Sequence, residues 1–336
     1  MPRTDTPQRI LLIRTDRLGE TLLSLPAAAA VKRTYPKAKV TALVRPELAE
    51  LVSRCPEVDR VLTYAPGSRA FWWVRVIRLG VRLRRERFDT AVVLNPMKEL
   101  HAAVWLAGIP RRVGYGRKWG HLLTDRSAER NARGVQHEVL QNLEVLGALG
   151  VAADAPPWRL SSLEPERSRV AQRLVEQGID PDAPFIVVHP GTSNPAKRWP
   201  PERFRRVISH TVTSLGVPVI VIGGSEERGT AQAALPEGVQ VVNWTGQLTL
   251  TELAALLQRA RLLLSNDSGP VHLAAMVGTK TLVLFGGMDA ATGPGRWGPW
   301  GEGHIVISKP SLAAVSVEDV TSALDALWRA ACPSGS

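Results

Sequence analysis

Short, nearly continuous aliphatic runs alternate with longer amphipathic segments along this chain, and that rhythm restricts its fold more than any other feature. In the first half, Ile10–Arg14, Lys39–Val44, Arg60–Tyr64, Thr90–Asn95 and Arg112–Tyr115 read as strands. Helical patterns fill Glu20–Tyr35, Phe71–Arg87, Lys98–Leu106 and Gln136–Leu149. The second half repeats the rhythm with strands at Phe185–His189, Pro218–Ile222, Val239–Trp244, Leu262–Ser265, Thr281–Phe285 and His304–Ser308. Strands that lack polar alternation must be covered on both faces, the condition of a parallel sheet flanked by helices. The expectation is an α/β chain of two Rossmann-like halves.

The 336 residues suit two domains of ordinary size. The boundary is expected within Ala152–Pro184, where Asp154-Ala-Pro-Pro157 and Asp180-Pro-Asp-Ala-Pro184 flank a charged helix about Pro165–Gln177. This gives domains 1–160 and 161–336. The last helix, about Val317–Ala331, belongs by sequence to the second, and a return onto the first is left open. No apolar run approaches the roughly 20 residues of a membrane-spanning helix, and no secretory signal is readable. Two cysteines, Cys55 and Cys332, offer neither a disulfide framework nor metal-ligand spacing. A cytoplasmic setting is expected.

Charge is divided unevenly. Residues 1–160 hold 27 Lys and Arg against 15 Asp and Glu, a balance of +12, whereas residues 161–336 hold 15 against 16, or −1. A basic half suits nucleic acid, an anionic membrane or an acidic substrate. Its densest stretch is Phe71–Arg87, where helical spacing puts Arg75, Arg78, Arg82 and Arg85 on one stripe and Phe71, Val74, Ile77 and Val81 on another face. Such a helix suits an anionic membrane or an acidic acceptor, although an ordinary surface helix has the same pattern. The stretch lacks a recognised nucleic-acid motif, so no nucleic-acid partner is expected.

Two strand-to-helix loops in the second half have the chemistry of an anion site. In His189-Pro-Gly-Thr-Ser-Asn-Pro-Ala-Lys-Arg-Trp-Pro200, Gly191 permits close backbone approach, Thr192 and Ser193 offer hydroxyls, and Lys197 and Arg198 are cationic donors. In Ser265–Ala275, Asp267 or Ser268 can cap a helix starting near Pro270. The N–H groups of Ser268, Gly269 and Val271 would then face an anion. Gly223-Gly-Ser-Glu-Glu227 ends another strand, where a carboxylate can take ribose hydroxyls or simply offset a helix N-terminus. No Walker A or complete Gly-x-Gly-x-x-Gly is present. In the first half, Arg14, Asp16, Arg17 and Glu20 surround Gly19 after the first strand, and a carboxylate there is a candidate general base.

Taken in order, these segments resemble glycosyltransferase family 9, the bacterial heptosyltransferases. The likeness rests on Arg14-Thr-Asp-Arg-Leu-Gly-Glu20 with Leu25-Pro26, His189-Pro-Gly191 with Lys197-Arg-Trp-Pro200, Asn266–Ala275, and Gly278–Gly286. The resemblance implies a GT-B architecture of two Rossmann-like domains facing a cleft, acceptor on the first and nucleotide-sugar on the second. It implies inverting transfer from an ADP-heptose to a hydroxyl of an acidic, lipid-linked lipopolysaccharide glycan. No cage of acidic residues for a divalent metal is evident, and no cofactor is expected, with weak stimulation by a divalent metal left open. Glu20 stands where the family usually has a catalytic Asp, and Lys197 matches its phosphate-binding Lys. Asp267, Ser268, Gly269 and His272 match its sugar and diphosphate loop, with Thr192, Ser193 and Glu226 completing the donor contacts. Arg14, Arg17, Arg75, Arg78 and Arg82 fall on the acceptor or membrane side, which suits peripheral attachment to the inner face of the inner membrane. A binder of sugar nucleotides without turnover and a transferase acting on another acceptor are the alternatives. Phe285-Gly-Gly-Met-Asp289 departs from the family's usual Phe-Gly-Pro-Thr-Asp.

Overall fold

The computed structural model describes residues 6–67, 70–127, 136–155, 160–161, 163–287 and 289–331. Met288 and Cys332, and the Pro156-Pro157 pair of the expected linker, lie outside the described residues. The chain divides into two compact units, Met1–Ser161 and Ser162–Ser336.

The first unit holds β1 (Arg9–Ile13), β2 (Lys39–Val44), β3 (Arg60–Thr63), β4 (Thr90–Val93), β5 (Arg111–Tyr115) and β6 (Asp125–Ser127). The second holds β7 (Ile186–His189), β8 (Val219–Val221), β9 (Val242–Asn243), β10 (Leu262–Asn266), β11 (Lys280–Gly286) and β12 (Ile305–Lys309). The sheet orders are β3-β2-β1-β4-β5-β6 and β12-β11-β10-β7-β8-β9. Every pairing is parallel. Both sheets therefore wind outward from a central pair, β1/β4 and β7/β10, and the order reverses there. Ligands of open parallel sheets bind outside the carboxyl ends of the strands at such a reversal.

Why these strands form is visible in their burial. Leu11, Leu12 and Ile13, like Leu262, Leu263 and Leu264, have both faces buried, so alternation is lost and β-propensity and burial agree. The short strand β6 was not expected, because Asp125-Arg-Ser127 carries no apolar signal and pairs only at the sheet edge. The segment expected as one helix from Glu20 to Tyr35 is two, Leu18–Leu22 and Pro26–Thr34. Pro26 cannot donate to the preceding turn and instead starts the second helix. The last helix sets Val317, Val320, Leu324 and Leu327 in the second unit's core, which also contains Trp199 and Phe204. Its apolar face thus closes the second unit.

Candidate active site

At the reversal point of the second unit, three loops meet. Asn266, fully buried at the end of β10, donates from Nδ2 to the carbonyls of Pro190 (2.9 Å) and Gly191 (3.3 Å) and accepts from the Trp199 N–H at 3.0 Å. One amide therefore holds both ends of the β7 loop. Trp199, fully buried, packs edge-to-face on Phe204 with centroids 4.9 Å apart and donates from Nε1 to Val315 O at 3.0 Å. This anchors the loop that presents Lys197. The Lys197 Nζ lies 2.5 Å from Asp267 Oδ2. Burial raises the Asp267 carboxyl above its ordinary range, and the Lys197 charge opposes that rise without cancelling it. Such an ion pair gives an incoming diphosphate an ammonium already in position.

Ser268 occupies the N-cap position of the Gly269–Met276 helix, yet its side chain makes no cap bond. Capping does not account for it, contrary to one sequence expectation. Its Oγ instead lies 3.0 Å from His189 Nδ1 and 2.9 Å from Ser265 Oγ. The Val271 N–H donates to Ser268 O at 3.2 Å, so it does not point outward as expected. The N–H groups of Ser268 and Gly269 have no protein acceptor among the described residues. Those two remain suited to an anion at the helix start. Thr192 is buried and accepts from the Asn194 N–H at 3.3 Å, whereas Ser193 is exposed on the same loop. His272 is buried on the Gly269–Met276 helix.

The Gly223–Glu227 loop separates its two acids. Glu226 is exposed, and its carboxylate accepts from the Ser225 hydroxyl at 3.4 Å. Glu227 turns inward, accepting from the Gly224 N–H at 2.7 Å and lying 3.0 Å from His189 Nε2. Burial alone would raise the Glu227 carboxyl. The hydrogen bond and charge of His189, the Gly224 N–H and Arg198 outweigh that and hold it below the usual range. Glu227 is therefore more than a compensator of helix charge, and Glu226 keeps the outward carboxylate.

The reversal point of the first unit is built differently. Arg14, just past β1, is buried, and so is Glu138, 3.1 Å from its Nη2. Arg14 also donates to Leu94 O (3.0 Å) and Asn142 Oδ1 (3.2 Å), and its Nε lies 2.9 Å from Asp16. Of its expected acceptor or membrane-side placement, this burial excludes the membrane: the guanidinium is an interior clamp. Asn95 accepts from the Thr15 N–H at 3.4 Å and donates to Thr15 Oγ1 and Asp16 Oδ1, each at 3.1 Å. Above this network stands Glu20, in the first turn of Leu18–Leu22 and half-buried. Among the described residues its carboxylate has no hydrogen-bond or ion-pair partner. Arg17 is exposed beside it.

The Trp72–Glu86 helix buries Val76, Leu79, Gly80 and Leu83. Gly80 lets a second helix, Lys98–Leu106, approach, because a Cβ there would sit 3.0 Å from Leu106 Cβ. Arg75 leaves the expected stripe: it is half-buried, 3.0 Å from Glu99, which also accepts from the Tyr64 hydroxyl. Burial and that Glu99 contact push Tyr64 up to about 12. Arg78, Arg82 and Arg85 remain exposed and line one shallow groove with Ile77 and Val81. The same surface exposes Trp73 (54%), Ile77 (49%) and Val81 (48%), with Trp105 (52%) on the neighbouring helix. An apolar stripe that a Rossmann helix would ordinarily bury is left in solvent.

Sequence reasoning missed Asn95, Glu138 and Asn142, which join Arg14 only in space. It quoted His189 and Asn266 within motifs without giving them roles, and gave Glu227 only the offsetting of a helix N-terminus. Among the described residues, no group of three or more His, Cys, Asp or Glu is placed to hold a metal ion. No described helix is long and apolar enough to cross a membrane.

Two parallel units of Rossmann order, each with polar side chains gathered at its reversal point, define the α/β class of GT-B proteins. Residues 76–325 match the sequence profile of glycosyltransferase family 9 (heptosyltransferase), and the chain belongs to that family of glycosyltransferases. Among its relatives is lipopolysaccharide heptosyltransferase 3 of Escherichia coli, 25% identical, with 94% of this chain and 97% of that one covered. The family 9 glycosyltransferase structure from Veillonella parvula superposes with a TM-score of 0.85 at 21% identity, covering 95% of this chain and 97% of that chain. The E. coli ADP-heptose lipopolysaccharide heptosyltransferase II superposes with a TM-score of 0.81 at 23% identity, covering 95% and 98%.

Proposed function

We propose that this enzyme transfers a heptose, or a related sugar, from an ADP-activated donor to a hydroxyl of a lipopolysaccharide inner-core or other envelope glycan, with inversion. The observation that carries this reading is the Lys197–Asp267 pair beside the outward N–H groups of Ser268 and Gly269. The likeness to the E. coli ADP-heptose lipopolysaccharide heptosyltransferase II supports the choice of donor. In this reading the first unit binds acceptor and the second binds donor. Glu226 takes the ribose hydroxyls. Lys197, Thr192, Ser193, Ser268 and Gly269 hold the diphosphate, while Asp267 and His272 border the sugar. Glu20 accepts the proton of the acceptor hydroxyl as its oxygen attacks the anomeric carbon opposite the departing ADP. Negative charge grows on the diphosphate during departure, so Lys197 and the two N–H groups stabilise the transition state more than the ground state. The reaction needs no cofactor, since the ADP-sugar is itself a substrate.

Peripheral attachment to the inner face of an anionic membrane belongs to the same reading. Indole rings and aliphatic side chains at the headgroup boundary, beside guanidinium groups reaching lipid phosphates, are the pattern of an interfacial helix. The exposed Trp73, Ile77 and Val81 with Arg78, Arg82 and Arg85 supply it. Two measurements test the proposal. ADP release from ADP-heptose should require an envelope glycan acceptor, with the product gaining one heptose by mass spectrometry. Tight ADP-heptose binding without release under any acceptor overturns the transferase reading in favour of a binder. Sedimentation should show salt-sensitive binding to anionic vesicles and none to neutral ones.

A further inference from the structure

His189 and Glu227 are buried polar groups for which the proposed transfer has no use. The His189 side chain is 4% exposed and the Glu227 side chain 11%. They cross-link three adjacent strand ends. His189 ends β7, Glu227 follows β8 and accepts from the Gly224 N–H, and Ser265 and Ser268 lie at and beyond the end of β10. Glu227 lies so close to Gly191 that a Cβ there would overlap its carboxylate, so the β7 loop is shaped around this acid. A buried hydrogen-bonded charge is weak evidence for stability, because desolvation offsets most of the attraction. Its strength lies in fixing geometry.

Following the protons makes the arrangement directional. Glu227, held ionised, can only accept, so His189 Nε2 carries a proton and donates to it at 3.0 Å. The ring's other nitrogen, Nδ1, lies 3.0 Å from Ser268 Oγ and 3.2 Å from Ser265 Oγ. Ser265 Oγ donates to Asn266 O at 2.8 Å and lies 2.9 Å from Ser268 Oγ, so Ser268 is the nearer hydroxyl to the ring. The Ser268 side chain is thus held by His189 and makes no cap bond, and among the described residues its backbone N–H and that of Gly269 have no protein acceptor.

We propose that His189 and Glu227 are positioning residues of the donor site, with Glu227 fixing the imidazole and the imidazole fixing Ser268 so that the helix start is preorganised for a diphosphate. This rests on the donor reading above but assigns residues that reading leaves idle. It also separates the two acids of the Gly223–Glu227 loop: Glu226 toward ligand, Glu227 toward His189.

The test is calorimetric titration of the full chain with ADP and, separately, inorganic pyrophosphate. Thermal melts confirm that each variant is folded. Ser268→Ala should weaken binding about tenfold, the scale of one hydrogen bond to a charged group. His189→Gln places an amide near Nε2 and loses the Nδ1 contact, so it should also lose about tenfold. His189→Asn places its amide near Nδ1, retains the Ser268 contact and should lose less than threefold. Residues acting through one another are non-additive, so Ser268→Ala combined with His189→Gln should stay near tenfold. A product near a hundredfold overturns the pairing, as does a His189→Gln protein that binds like wild type. Nitrogen NMR of the unliganded protein should show Nε2 carrying a proton, and a ring protonated at Nδ1 alone overturns the proposal without reference to any ligand. Wild-type binding of pyrophosphate but not ADP sinks the nucleotide reading and leaves the positioning pair standing. Binding of neither sinks both.

Discussion

The two units share one strand order and one reversal point, yet fill that point with opposite chemistry. In the first, Arg14 is locked among Glu138, Asn142 and Asp16, and among the described residues the Glu20 carboxylate of the following helix has no partner. In the second, the hydrogen bonds draw side chains away from the start of the Gly269–Met276 helix and leave donors there: Lys197 and two N–H groups. One frame presents a carboxylate, the other an ammonium and N–H donors. The net charge of each unit runs the other way, +12 against −1. Bulk charge therefore says little about the site. In the first unit it belongs largely to surface arginines such as Arg78, Arg82 and Arg85.

The comparison can be broken at several points, the largest effect first. Glu20→Gln should cut turnover roughly 100- to 10,000-fold, the usual weight of a general base, and leave ADP affinity unchanged by calorimetry. Retained turnover would place the base elsewhere. Arg14→Met should cost about 3–5 kcal/mol in denaturant melts, because it leaves Glu138 buried without its charge partner. Small loss there would mean the clamp is not a clamp. Replacing Arg78, Arg82 and Arg85 together by Ala should leave melting unchanged and weaken anionic-vesicle binding about fivefold per residue. The same Arg type thus divides into an interior and a surface role within one unit. Lys197→Ala should weaken ADP binding roughly tenfold without shifting vesicle binding.

A separate effect is on pH. Burial, aided by Lys118 near His101 and by Lys280 near His304, holds both imidazoles at about 4, one in each unit. In the unfolded chain each titrates near 6.5, so the unfolded state binds more protons between those values. Stability should be highest above pH 6.5 and fall as pH drops toward 4. Urea melts at pH 7.5 and 5 read this, and His101→Leu should flatten the decline.

The repeating apolar runs were enough to place nearly every strand, because fully buried strands leave an unbroken hydrophobic signature. β6 escaped, since an edge strand of Asp-Arg-Ser depends on its neighbour alone. Lys197 and Ser268 were legible because a loop between a buried strand and a helix carries its chemistry in consecutive residues. The interior role of Arg14 was not read, and Arg75 was set on a stripe with Arg78, Arg82 and Arg85, because helical spacing gives direction relative to one element only. Their partners, Glu138 and Glu99, lie 124 and 24 residues away in the chain.

By itself, then, the sequence determined the two parallel units, the loops that hold the site and the family to which the chain belongs. Only the tertiary structure decided which charges are interior, which way Glu226 and Glu227 divide, and that Ser268 turns to His189 instead of capping its helix. Local patterning is set by each residue's own preference for burial, and that is written along the chain. The pairing of buried polar groups is set by which strand ends the winding order brings together.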